Sequence, residues 1–130
     1  QRQMCIRDSA RISDSLIYNG CIIEGEVERS ILFPGTHVEK GAKVKDSVLF
    51  FNNVVGKEAM LDKVISDVNT TFGRGVRINT EGKPGPKEVS VIGWNNFIKA
   101  NTIIGSGCTV YPSLPSEKIP KQVESGEVIR

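Results

Sequence analysis

Several kinds of residue are scarce in this chain, and each scarcity closes off a class of chemistry. Among 130 residues there is one histidine and one tryptophan, and aromatic residues make up only 6%. A single histidine cannot supply the three imidazole ligands of a zinc site, nor can it furnish a base for more than one catalytic constellation. The three cysteines are odd in number and lack metal-ligand spacing. No phosphate-binding loop and no dinucleotide fingerprint occurs. Seventeen basic residues stand against fifteen acidic ones, a formal charge of +2, so there is neither a basic tract for nucleic acid nor a polyacidic tail. An apolar run of membrane-spanning length and a signal-peptide pattern are also missing. These absences predict a cytoplasmic chain with no nucleic-acid partner, no membrane partner and no metal.

What the sequence does contain is a repeat of about 16 residues that places an aliphatic residue in three recurring columns. The first column is Ile12, Val27, Val44 and Leu61; the second is Ile17, Leu32, Leu49 and Ile65; the third is Ile23, Val38, Val55 and, more weakly, Thr71. Two residues ahead of most of these sits something small: Ala10, Gly25, Ala42 and Ala59 for the first column, Ser15, Ser30 and Ser47 for the second, Cys21 and Thr36 for the third. Strands alternate their faces, so each large residue and the small one two positions earlier point the same way, inward. Short strands that each give one large and one small side chain to a narrow interior predict an all-β parallel β-helix of hexapeptide-like units. Cys21 and Cys108 fall in small inward slots and read as core filler.

The columns also divide the chain. Residues 1–9 fit none of them and read as a non-native leader outside the fold. Residues 10–114 form the β-helix, about five to six coils, interrupted by an inserted loop at 76–88 that is rich in glycine and proline. After the loop Ile92, Ile98, Ile104 and Val110 recur six apart, preceded by Ser90, Asn96, Thr102 and Cys108. Residues 115–130, with Pro115 and Pro120, leave the pattern and read as a tail capping the last coil against edge pairing.

Outward positions are free of the core's demands and therefore carry function. On the first face they are polar: Arg11, Ser13, Glu26, Glu28, Lys43 and Lys45. On the second face they are Leu16, Tyr18, Ile31, Phe33, Val48 and Phe50, followed by Val64. A sheet apolar on both sides is normally covered on both sides, so these six residues predict an interface with another subunit or a second domain. His37 lies between two inward positions and should face solvent on the third side, where it would serve as the base of an acyltransferase if a second group oriented it. Arg74, Arg77, Lys83 and Lys87 cluster around the corner loop and could hold a phosphorylated effector by charge-assisted hydrogen bonds. No catalytic residue is identified.

The stretch Ser15 to Phe33, with its Asn19-Gly20-Cys21 corner, shortened turn at Glu24-Gly25 and Ser30-Ile31-Leu32-Phe33 strand, followed by Val38, Gly41 and Val44 to Leu49, resembles the start of a known domain. It is similar to the C-terminal β-helix of bacterial glucose-1-phosphate adenylyltransferases, over about half the chain to near Ile78. The resemblance implies a left-handed coil, although parallel crossovers in general run right-handed. It also implies a parent enzyme that makes ADP-glucose and pyrophosphate from ATP and glucose 1-phosphate for glycogen synthesis. That enzyme would use Mg2+, be tetrameric and be under allosteric control; a sugar phosphate at the basic corner loop is one candidate effector. The nucleotide-binding glycines, metal-binding carboxylates and sugar-phosphate lysine would belong to an N-terminal catalytic domain. This chain would then be the oligomerisation and allosteric module, needing no cofactor of its own and inactive alone. A hexapeptide acyltransferase, a tail of another sugar-phosphate nucleotidyltransferase and a purely structural trimerising solenoid are the alternatives.

Overall fold

The computed structural model describes residues 4–80 and 86–130. It is a left-handed parallel β-helix of about seven turns, more than the five to six expected. All pairing is parallel, between rungs roughly 4.8 Å apart. The first face stacks seven strands: Arg11–Ser13, Glu26–Glu28, Lys43–Lys45, Met60–Asp62, Arg77–Ile78, Ile103–Ile104 and Gln122–Val123. The second stacks seven: Leu16–Ile17, Ile31–Leu32, Val48–Leu49, Val64–Ser66, Ser90–Ile92, Thr109–Val110 and Val128–Ile129. The third has six: Cys5–Ile6, Ile22–Ile23, His37–Val38, Val54–Val55, Thr71–Phe72 and Phe97–Ile98.

The interior follows the columns, with two corrections in the fourth coil. Ile65 is 37% exposed, while Val64 and Ser66 on either side of it are fully buried. The cause lies in the corner. In the coils before it, the first-face and second-face columns are five residues apart, and the third residue of each corner adopts the left-handed region: Asp14, Arg29, Asp46 and Lys63, with φ between +46° and +51°. Keeping that corner places Ser66 in register with Leu49. Thr71 likewise turns outward, and Phe72, in register with Val55, enters the core. The two changes compensate. Ser66 is smaller than the leucine below it, Phe72 is larger than the valine below it, and close packing requires the volumes of a layer to balance. The Ser66 hydroxyl donates to Asn53 Oδ1 at 2.6 Å, so this inward polar group is satisfied.

The corners carry ladders of their own. Ser15, Ser30 and Ser47 stack at one corner, where each hydroxyl accepts the backbone N–H of the next coil at 3.0–3.1 Å and donates to a carbonyl two residues back. At the corner between the second and third faces Asn53 donates to Phe50 O and Asp67 O, and Asn96 donates to Gly93 O and Tyr111 O. Cys21 and Cys108 are buried, and burial pushes the Cys21 thiol above its usual range, which keeps it protonated and unreactive.

Three segments set outside the regular coils also contribute strands. Cys5–Ile6, within the presumed leader, pairs with Ile22–Ile23 on the third face. Arg77–Ile78, at the start of the presumed insert, is a regular first-face strand, and the base of the loop beyond it is closed by Asn79 Nδ2 donating to Glu88 O at 2.7 Å. In the tail, Gln122–Val123 and Val128–Ile129 extend the first and second faces by a further rung. The third face is not extended there. A short 3-10 turn at Ser116–Lys118 runs in its place, and Ile119 plugs the end of the core.

Candidate functional site

The exterior of the second face is apolar over most of its length, interrupted by Asp67 and Thr109. Its outermost row runs Leu16, Ile31, Val48, Ile65, Val91, Thr109 and Val128, each in register with the next. Beside it runs a second row, one residue past each strand: Tyr18, Phe33, Phe50, Asp67, Gly93 and Tyr111, joined rung to rung by backbone hydrogen bonds. Tyr18 and Phe33 are stacked with centroids 5.0 Å apart and 7° between planes, and Phe50 meets Phe33 edge-on at 5.1 Å. All six residues expected at an interface therefore lie on one surface. The fourth-coil slip adds Ile65 to it in place of Val64. Val91, Trp94 and Tyr111 belong to it as well, but the loop between Ile78 and Ser90 hid their register in the sequence. The spacing of five residues from column to column is the signal that would have found Ile65.

The first face offers the contrast. Glu26 lies 4.0 Å from Arg11 and 3.8 Å from Lys43, and Arg29 grips Asp46 through two nitrogens at 2.7 and 3.1 Å. These pairs are solvent-exposed and hold Asp46 below the usual carboxylate range, first through the hydrogen bond from Arg29. Such a surface is satisfied by water and needs no partner.

His37 sits on the third face between Ile22 and Val54, half-buried. The sequence suggested no group to orient it, but the structure supplies one: His37 Nε2–H donates to Glu24 Oε1 at 2.9 Å. That hydrogen bond is the main reason the Glu24 carboxyl is lowered from its ordinary range. Glu24 reaches the ring because the turn at Glu24-Gly25 is short, and only glycine fits there. A Cβ on Gly25 would collide with the Ala42 carbonyl oxygen and stand 2.8 Å from that of Glu39.

The basic residues do not converge on one point. Arg74 is held by Glu58 at 3.1 Å, and Lys87 by the buried Asp62 at 2.8 Å. Glu58 precedes the strand Met60–Asp62 and Asp62 ends it, so the two pairs stand at opposite corners. Arg77 projects from the first face between them, and Lys83 lies outside the described residues. Among the described residues no group of three or more His, Cys, Asp or Glu side chains is placed to hold a metal ion. No helix among them is long and apolar enough to cross a membrane.

Stacked hexapeptide coils with this handedness define a class of protein. Residues 4–91 match the profile of the family described as GlmU-like, C-terminal hexapeptide, and the chain belongs to that family. Among curated proteins it is similar to glucose-1-phosphate adenylyltransferases, aligned with their C-terminal part. The enzyme of Acetivibrio thermocellus is 27% identical over 95% of this chain, that of Desulforamulus reducens 32% over 78%, and that of Bacillus cytotoxicus 41% over 58%. The chain spans less than a third of the length of each: 31%, 25% and 20%. Among solved structures, the acetyltransferase domain of PglB from Neisseria gonorrhoeae, in complex with acetyl coenzyme A, superimposes with a TM-score of 0.65. The alignment covers 96% of this chain and 53% of that one at 20% identity, a likeness of fold.

Proposed function

We propose that this chain is the C-terminal assembly and regulatory module of a cytoplasmic glucose-1-phosphate adenylyltransferase, the enzyme that joins ATP and glucose 1-phosphate into ADP-glucose and pyrophosphate for glycogen synthesis. The observation that carries the reading is the largely apolar exterior of the second face, continuous over Leu16, Ile31, Val48, Ile65 and Val91 with the Tyr18, Phe33 and Phe50 rings beside it, in a chain similar to the C-terminal part of such enzymes. An exposed contiguous apolar patch of this kind marks an interaction surface. In this reading it docks a neighbouring subunit or the enzyme's own N-terminal catalytic domain, within a tetramer. Nucleotide, Mg2+ and sugar phosphate bind in that catalytic domain, not here. Arg74, Arg77, Lys83 and Lys87 remain the candidate contacts for a sugar-phosphate effector, which would have to bridge the opposite corners that hold Arg74 and Lys87 and draw them away from Glu58 and Asp62. Titration with a sugar bisphosphate in a calorimeter tests this, and an absence of heat would contradict it.

The decisive experiment is to express the coding sequence together with what lies upstream and to assay pyrophosphate release from ATP and glucose 1-phosphate. The extended protein should turn over and the 130-residue chain should not. Turnover by the chain alone, or an upstream region without a nucleotidyltransferase domain, would overturn the proposal.

A second reading, a hexapeptide acyltransferase, is favoured by one observation, the His37–Glu24 pair, since a carboxylate-oriented imidazole is the arrangement of a general base. Acetyl transfer from acetyl coenzyme A that disappears in His37→Ala would establish it. No transfer by the unaltered chain would remove it.

A further inference from the structure

At the C-terminal end of the aromatic stack, the second face holds a cleft within the surface assigned to assembly. In the row Tyr18, Phe33, Phe50, Asp67, Gly93, Tyr111, bulky rings give way first to a carboxylate and then to no side chain at all. Asp67 and Tyr111 are two rungs apart, about 10 Å, with the bare Gly93 between them. Pro112 closes down over that glycine, where a Cβ would stand 2.6 Å from its nitrogen. The result is a cleft of about 340 Å³, within the range of small-molecule sites, walled by Phe50, Ile65, Val91, Trp94 and Tyr111 and polar chiefly at Asp67.

Its chemistry selects among ligands. No lysine or arginine lines it, so a phosphate would meet an unopposed carboxylate. A sugar would have to give up most of its hydroxyl hydration to aliphatic and aromatic walls with few partners. A cation with an apolar body loses little on entry and gains from the aromatic walls, Trp94 and Tyr111, and from the charge of Asp67. One oxygen of the carboxylate, Oδ1, accepts the Val68 backbone N–H at 2.8 Å, which restrains the side chain. Tyr111 already holds one cation, the Arg130 guanidinium, whose carbon lies 5.6 Å from the ring centre, and an entering cation would share or displace that contact.

We infer that the cleft between Asp67, Trp94 and Tyr111 binds a small organic cation, a quaternary or alkyl ammonium group on an apolar body. This site lies on the face assigned to assembly, so it requires that the cleft stay open in the assembled protein; assembly without choline binding would overturn the site and leave the assembly proposal standing.

Trp94 is the chain's one tryptophan, so its fluorescence reports on the cleft directly. Choline is the probe, and its neutral isostere 3,3-dimethyl-1-butanol is the control. The intact chain should show a saturable change with choline and a much weaker one with the alcohol. Asp67→Asn keeps the Oδ1 acceptor for Val68, and an unchanged melting temperature verifies its fold. It should weaken choline binding about tenfold, as loss of a charged partner does. Tyr111→Leu should weaken it about fivefold. Absence of a saturable change, equal response to the alcohol, or an unaltered affinity in Asp67→Asn would each overturn the assignment. So would saturation seen only in a Tyr18→Ser, Phe33→Ser variant, because the cleft would then belong to a docked partner's side chain.

Discussion

Glu24 and His37, thirteen residues apart in sequence, form a hydrogen-bonded pair at 2.9 Å across one rung of the third face. The lowered Glu24 carboxyl makes the pair visible in acid denaturation. A carboxyl whose native pKa is depressed contributes stability that is complete above its unfolded value, about pH 4.3, and is lost as pH falls through the lower native value. The melting temperature of the unaltered chain should therefore fall more steeply on acidification below about pH 4.3 than that of Glu24→Gln. Parallel curves for the two proteins would contradict the pairing.

The fourth-coil register predicts an asymmetry between adjacent residues. Phe72→Ala removes a fully buried ring and should lower stability by about 3–5 kcal/mol. Thr71→Ala, one position earlier on the outer surface, should change it by less than about 0.5 kcal/mol. Urea titration separates the two, and the reverse order would restore the column as first read from the sequence.

The serine ladder predicts a local effect at a distance. Ser47→Ala leaves the backbone N–H of Val64, one coil on, without its acceptor in a buried position. The expected cost is about 1–3 kcal/mol, more than a surface serine would show. Hydrogen exchange at the Val64 amide should quicken in this variant. Unchanged protection there would mean that the ladder contributes nothing.

The three faces, the inward aliphatic columns and the small residues ahead of them were legible because a strand's period of two leaves little freedom once one side must be buried. Ile92, Ile98, Ile104 and Val110 all occupy the interior as their spacing of six implies. The frame slipped only where neighbouring residues satisfy it equally well. Val64-Ile65 and Thr71-Phe72 each offer two acceptable candidates, and the choice is made by the φ of Lys63 and by the layer's volume, neither of which a hydropathy pattern carries. The tail misled because its prolines and the turn at Ser116–Lys118 break the six-residue rhythm while the backbone still returns to two of the faces. Of the candidate site, the six aromatic and aliphatic residues of the first three coils could be read directly. The Glu24–His37 pair and the Asp67–Trp94–Tyr111 cleft could not, because each joins residues from different coils whose separation depends on a shortened turn or on the inserted loop.

In the proposed function the apolar second face is covered by another copy or domain. Light scattering coupled to size exclusion tests it most directly, applied to the unaltered chain and to a variant carrying Tyr18→Ser, Phe33→Ser and Phe50→Ser, all on the outer surface away from the core. Tested without a catalytic domain, the unaltered chain should run as an assembly of several copies and the variant as a single folded chain. Equal masses for the two would contradict the account.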